Sequence, residues 1–306
     1  MVGSQGAGRE QVMRTSLNPL KKTDSRVPTA PDVTLGIVTH LTDDAYHANR
    51  RAVIVKCLRS MLCPDLKHVS FELIVWDNGP SLNERVLFDA GARGEGANFD
   101  LTLVRSPNIG LHNAQANIAA IARGKILCMT DDDILFSPDW FDLQYQLLKA
   151  YPNVGVVSGS PQRCMMPRST LPLSFSSETF VSGGLAAKIT TGNLLPDEWE
   201  HDYWQSVGED PDYRMPRFSG RIDTLIEYKG VKAWAHGHHM QWMGYRDVVA
   251  PFLFRTDKYM DNGLRFNKAI NDAGLLQLTT HERTAIHIGN EIDPRILEIE
   301  QEWATR

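Results

Sequence analysis

From Val33 onward the chain alternates between short β-branched runs and longer stretches whose apolar residues recur at helical spacing. The run VTLGIVTH (33–40) reads as a strand, and the segment after it places Ile54, Cys57, Leu58 and Met61 on one helical face. FELIVWDNG (71–79) reads as a second strand ending in turn residues, with a helix expected around 82–92. LTLVRSP (101–107) predicts a third strand and KILCMT a fourth; between them LHNAQANIAAIAR puts Leu111, Ala114, Ile118 and Ile121 on one stripe. Strands alternating with helices predict right-handed βαβ units and a parallel sheet.

The second half is less regular. VGVVSGSP (154–161) predicts a strand, and residues 162–235 hold Pro, Ser and Gly clusters around an acidic, aromatic helix, DEWEHDYWQSVGED. YMDNGLRFNKAINDAG (259–274) reads as a helix with Phe266, Ala269, Ile270 and Ala273 inward and Gly274 as its stop. LLQLTT and TAIHIGN are short strands or loops, and PRILEIEQEWATR a charged terminal helix. Residues 1–31 show no periodicity and are expected to form a flexible leader.

The chemistry concentrates where strands end. ILCMTDDDILFSPDW (126–140) runs strand-like sequence straight into Asp131, Asp132 and Asp133. Three adjacent carboxylates repel one another and are costly to bury unpaired. A divalent cation resolves this: Mn²⁺ and Mg²⁺ take carboxylate oxygens and complete their shells with water and substrate phosphates. Alternate residues of an extended segment share a side, so Asp131 and Asp133 face one ion while Asp132 points elsewhere. An acidic turn capping the helix at Ser137–Pro138 is the plain alternative. Three further strand ends carry polar clusters, Thr39–His40, Asp77–Asn78 and Asn108, and a parallel sheet brings such ends to one edge, where ligands bind.

Composition narrows the classes. A net charge of −5 gives no electrostatic footprint for nucleic acid or an anionic membrane. No apolar run approaches the roughly 20 residues of a membrane span, and no apolar signal core opens the chain. The four cysteines show no metal-type spacing, and Cys57 and Cys128 sit in apolar segments, as buried thiols do. A soluble, cytoplasmic protein is expected.

The order TLGIVTH, ELIVWDNGPS, NIGLHNAQANIAAIARGKILCMTDDDI and AIHIG resembles family 2 glycosyltransferases with the GT-A fold, well over 33–160 and loosely over 236–290. The resemblance implies an α/β fold with a Rossmann-like, mostly parallel central sheet flanked by helices. It implies a domain over 32–290, divided into a nucleotide-binding half (32–160) and a variable acceptor-binding half (161–290), with 291–306 as a C-terminal helix. The activity implied is metal-dependent transfer of a sugar from a nucleoside diphosphate sugar, UDP-linked by expectation, to a hydroxyl acceptor, with inversion.

By the same resemblance Asp131 and Asp133 bind Mn²⁺ or Mg²⁺ and the sugar nucleotide, with Asp132 beside them in the nucleotide site. Thr39 and Asp77 flank the nucleoside, and His287 closes over the metal and diphosphate. Asn108 and Gly110 open a helix whose N-terminus either faces phosphates or is simply capped. The general base falls on Asp261, with Asp257, Glu209 and Asp210 in reserve; the family's acidic pair is incomplete here, Met260 holding its first place. His236, His238 and His239 are expected to contact substrate or edge a strand. The rival readings are a sugar-nucleotide nucleotidyltransferase, whose Gly-rich basic loop is missing after the first strand, and a non-catalytic sugar-nucleotide-binding protein.

Overall fold

A ten-stranded mixed sheet, in the order β3-β2-β1-β4-β10-β6-β11-β9-β8-β7, carries the fold. The computed structural model describes residues 30–42, 49–62, 66, 68–79, 82, 84–94, 99–165, 187–253, 255 and 262–305. The expected leader lies almost wholly outside them.

The first half runs β1 (Val33–Thr39), α1 (Arg50–Met61), β2 (Phe71–Asp77), α2 (Glu84–Asp89), β3 (Asp100–Arg105), α3 (Leu111–Ile121) and β4 (Ile126–Asp131). Each strand feeds a helix that returns over the sheet, so β1 pairs in parallel with both β2 and β4, and β2 with β3. All seven residues of β1 are buried, as a central strand covered on both faces must be. Leu35 and Ile37 pack with Ile54 and Leu58 of α1, whereas Val38 packs with Ala114 and Ile118 of α3. Each such aliphatic side chain removed from water contributes about 1.5–3 kcal/mol.

Two expected helical faces are narrower than the spacing suggested. Small residues bring α3 to the sheet: Ala114, Ala116 and Ala119 are buried, but Ile121 is 46% exposed. A Cβ on Gly36 would lie 2.8 Å from Ile118 Cγ2, so the strand's glycine is what admits the helix this closely.

The second half runs β5 (Ile134–Phe136), α4 (Trp140–Ala150), β6 (Val154–Ser158), β7 (Lys188–Gly192), α5 (Asp197–Ser206), α6 (Pro211–Arg214), β8 (Asp223–Tyr228), β9 (Val231–Trp234), β10 (Gln241–Tyr245), α7 (Arg246–Val249), α8 (Asn262–Asp272), β11 (Leu276–Thr280), β12 (Ala285–His287) and α9 (Pro294–Ala304). Here the sheet departs from parallel order. β10 enters between β4 and β6 and is antiparallel to both, and β9, β8 and β7 continue antiparallel. In α8 Phe266 and Ile270 are buried, but Ala273 is exposed where the helix gives way to Gly274, at φ +72°.

β5 and β12 form a separate two-stranded ribbon. Ile296, Ile299 and Trp303 of α9 pack onto it and onto α1 through Leu135, Ile286 and Val53. Among the described residues no helix is long and apolar enough to cross a membrane.

Candidate functional site

Register alone assembles one edge. Thr39 is paired with Asp77 across β1 and β2, and Val38 with Asp131 across β1 and β4. Thr39, Asp77 and Asp131 therefore end three adjacent parallel strands. Beyond Asp131 the chain turns through Asp132 and Asp133 and re-enters as β5, where Ile134 is paired with His287 of β12. The Ile288 N–H donates to the Asp133 carbonyl at 2.7 Å, which fixes the ribbon to the turn. His287 thus reaches the acids: its Nε2 lies 3.3 Å from Asp133 Oδ2.

The counter-charge is a residue that spacing did not single out. Arg50, the first residue of α1, donates through Nη1 to Asp133 Oδ2 at 2.8 Å and through Nη2 to Asp132 Oδ1. Asp132 accepts a second bond from the His40 N–H at 3.2 Å, so both of its oxygens are engaged. The Asp132 carboxylate thus holds α1 and the end of β1 to the acidic turn.

Burial and repulsion divide the acids. Burial, then the charges of Asp133 and Asp132, pushes Asp131 well above the usual carboxylate range. Burial lifts Asp132 to about 6 against the pull of Arg50. Burial acts on Asp133 too, but His287 and Arg50 outweigh it and hold its carboxyl low, so it is the most acidic of the three.

Four buried oxygens on this edge have no hydrogen-bond partner among the described residues: Thr39 Oγ1, Asp77 Oδ1, Asp131 Oδ1 and Asp133 Oδ1. Each unsatisfied buried acceptor costs about 1–3 kcal/mol, and natural structures rarely leave several together without a ligand to receive them. An all-oxygen set suits a hard divalent cation. No group of three or more His, Cys, Asp or Glu side chains among the described residues forms a ready metal cage. The residues therefore fit an ion held by one or two carboxylates, with the rest of its shell from water and phosphate oxygens. Both nitrogens of His287 are engaged in this geometry, Nε2 with Asp133 and Nδ1 with Ser206 Oγ at 2.9 Å.

Residues 46–203, just over half of the chain and including the acidic turn, match the family described as Glycosyl transferase family 2. The chain belongs to that family. Its α/β architecture, a large sheet flanked by helices, is the GT-A type expected from the resemblance. A solved structure, the mannosyltransferase PcManGT from Pyrobaculum calidifontis in complex with GDP-Man and Mn²⁺, is similar at 22% identity and a TM-score of 0.34. The likeness covers 45% of this chain and 37% of that one, so the chain spans well under half the length of that relative. Among curated proteins none matches.

The other expected residues of this family member fall as follows. Asp77 Oδ2 accepts from the Leu82 N–H at 3.1 Å, with Arg105 Nε 3.9 Å away, and burial raises its pKa. Asn108 Oδ1 accepts from Asn78 Nδ2 at 3.1 Å and from the Gly110 N–H at 3.0 Å, tying the entry of α3 to the end of β2. Asp210 accepts from the Asp212 N–H as the cap of α6, and Glu209 pairs with Arg214. Asp257 and Asp261 lie outside the described residues. His236 and His238 are buried, and His238 Nε2 donates to Gln162 Oε1 at 2.8 Å. A groove of about 720 Å³ between α1, α2 and α9 lies away from this edge, and its Lys56 and Arg85 are paired with Glu300 and Asp89.

Proposed function

We propose that this family 2 glycosyltransferase moves a sugar from a nucleoside diphosphate sugar to a hydroxyl acceptor, with inversion and with Mn²⁺ or Mg²⁺ at the acidic turn. The observation that carries this reading is the row of partnerless buried oxygens, Thr39 Oγ1, Asp77 Oδ1, Asp131 Oδ1 and Asp133 Oδ1, at the ends of neighbouring strands. They are acceptors spaced along an edge, suited to a ligand with N–H or hydroxyl donors at one end and metal-bridged phosphates at the other.

In this reading Asp77 accepts from a base N–H and Thr39 bonds the nucleoside. Asp131 and Asp133 hold the ion, which as a Lewis acid neutralises charge on the leaving diphosphate. Arg50 and His40 keep the turn in place through Asp132. Inversion by single displacement needs a carboxylate to take the acceptor hydroxyl's proton as the anomeric carbon is attacked. Asp261, immediately before α8, is the proposed base. Residues 32–160 serve the donor and 161–290 the acceptor.

Thermal melts of the full chain with UDP, GDP and their sugars, each with and without Mn²⁺, test the donor reading. A ligand at 100 times its Kd stabilises by about 2.7 kcal/mol. The expected result is stabilisation by one nucleotide class only with Mn²⁺, lost in Asp131→Asn, which replaces a carboxylate oxygen by an amide nitrogen that cannot ligate the ion and leaves the Arg50 contacts in place. Equal stabilisation without metal, or in Asp131→Asn, overturns it.

A further inference from the structure

Ser206 ends α5, and its hydroxyl oxygen makes two contacts, 2.7 Å to the Tyr203 carbonyl oxygen and 2.9 Å to His287 Nδ1. A hydroxyl has one proton to give, and a carbonyl has none. The 2.7 Å contact is a hydrogen bond only if Ser206 donates to Tyr203. The Ser206 oxygen is then an acceptor, and the group that donates to it is His287 Nδ1–H. The reverse placement would leave two oxygens facing each other at 2.7 Å with no proton between them.

We propose that Ser206 is a positioning residue for His287: it keeps a proton on Nδ1 and fixes the ring so that Nε2 is the nitrogen turned toward Asp133 Oδ2, 3.3 Å away, a contact between two acceptors that is closed by a second ring proton or by the cation. The ion's presence rests on the donor-site reading above; the assignment of the Nδ1 proton does not.

The surroundings hold this pair in register. Asp202, one turn earlier in α5, accepts from Arg283 Nη1 at 2.6 Å, and its carbonyl accepts from Arg295 Nη1 at 3.1 Å. The Tyr203 ring stands edge-on to His287, with centroids 6.4 Å apart at 71°. Gly289 has φ +93°, and a Cβ there would lie 2.6 Å from the Ser206 carbonyl. The end of the helix and the chain after His287 therefore close on each other with no space for a side chain. Histidines at metal sites characteristically donate their second ring nitrogen to an oxygen partner, and loss of that partner costs about 10–100-fold in metal affinity. Ser206 supplies such a partner from the half of the chain that faces the acceptor.

The test is ¹⁵N-histidine NMR on the full-length protein, with His287 assigned by its loss in His287→Gln. Expected is a protonated, slowly exchanging Nδ1 in the parent and in Ser206→Thr, and a fast-exchanging one in Ser206→Ala. Mn²⁺-supported nucleotide binding should weaken about 10–100-fold in Ser206→Ala, recover in Ser206→Thr, and fall no further when Ser206→Ala is added to His287→Gln. An unprotonated Nδ1 in the parent overturns the proposal. So does an equal loss from Ser206→Ala in both backgrounds, which would mark a general structural effect. A protonated Nδ1 in a parent that binds nucleotide equally well without Mn²⁺ would sink the metal reading and uphold the Ser206 assignment.

Discussion

Arg50 Nη1 lies 2.8 Å from Asp133 Oδ2, and both side chains are largely withdrawn from solvent, at 9% and 14% exposure. With its other terminal nitrogen on Asp132, this guanidinium lets three consecutive acids stand at the end of a buried strand. Arg50→Met should therefore cost about 3–5 kcal/mol of unfolding free energy at neutral pH, because it strands two buried carboxylates. Arg50→Lys should recover only part, since an ammonium cannot span both acids as a planar fork does. Urea denaturation reads both; a parent-like midpoint for Arg50→Met would show that the pair contributes nothing to the fold.

Asp77 sits fully buried beside Thr39, with one oxygen engaged by Leu82 and the other open. A contact to the donor's base is made equally in ground and transition states, so Asp77→Ala should raise the donor KM with little change in kcat. Steady-state kinetics over a donor series decides this. An unchanged KM with a collapsed kcat would move Asp77 from recognition into the chemistry.

Buried neutral histidines predict an acid-labile fold. Burial, with His239, His236 and His287 nearby, drives His238 well below its ordinary value, and burial takes His236 down to about 4 against a backbone hydrogen bond with Gly237. His238 uses Nδ1 to accept the Met240 N–H at 3.2 Å, a bond that a second ring proton would abolish. In the unfolded chain these rings bind protons below about pH 6.5. Between there and about pH 4 the unfolded state holds more protons than the native one, so stability falls as pH falls. Each group contributes a slope of up to about 1.4 kcal/mol per pH unit in that window. His238→Gln, followed by urea denaturation from pH 7 to 4.5, should flatten the dependence; an unaltered slope would show that His238 does not carry it.

The half of the site built from consecutive strand ends was legible in the sequence, because strand alternation in a βαβ chain sends every second boundary to one edge. Arg50 was not. It lies 82 residues from Asp132, and nothing in HANRRAV separates it from its neighbour Arg51. β5 was missed for a different reason: ILF is three residues, too short for any period, and it follows acids that read as a turn into a helix. β10 was missed because four of its five residues are buried with no alternation, as in a strand covered on both faces. The stripe assigned to α3 failed at Ile121 because close approach at Gly36 selects alanines over bulk. Ser206 and His287 are 81 residues apart, and only the packing of α5 against the ribbon joins them.

Of the four carboxylates considered as general base, Glu209 and Asp210 lie among the described residues and both are already engaged. Asp210 Oδ1 accepts the Asp212 N–H at 3.0 Å as the cap of a helical turn. Glu209 is forked by Arg214, with Nε at 3.0 Å, which lowers its pKa and its appetite for a proton. Asp261 directly precedes α8, whose first N–H groups favour an ionised carboxylate nearby. Asp261→Asn keeps the shape and any capping bond but cannot take a proton, so transfer should slow by about 10²- to 10⁴-fold while metal-dependent donor binding and the melting temperature hold. Asp257→Asn and Asp210→Asn should stay near the parent rate, the latter because asparagine caps as well as aspartate. Single-turnover transfer from a labelled donor, run on all three variants, separates chemistry from binding. A parent-like Asp261→Asn beside an inactive Asp257→Asn or Asp210→Asn would place the base elsewhere, while the donor edge of Thr39, Asp77, Asp131 and Asp133 would stand unchanged.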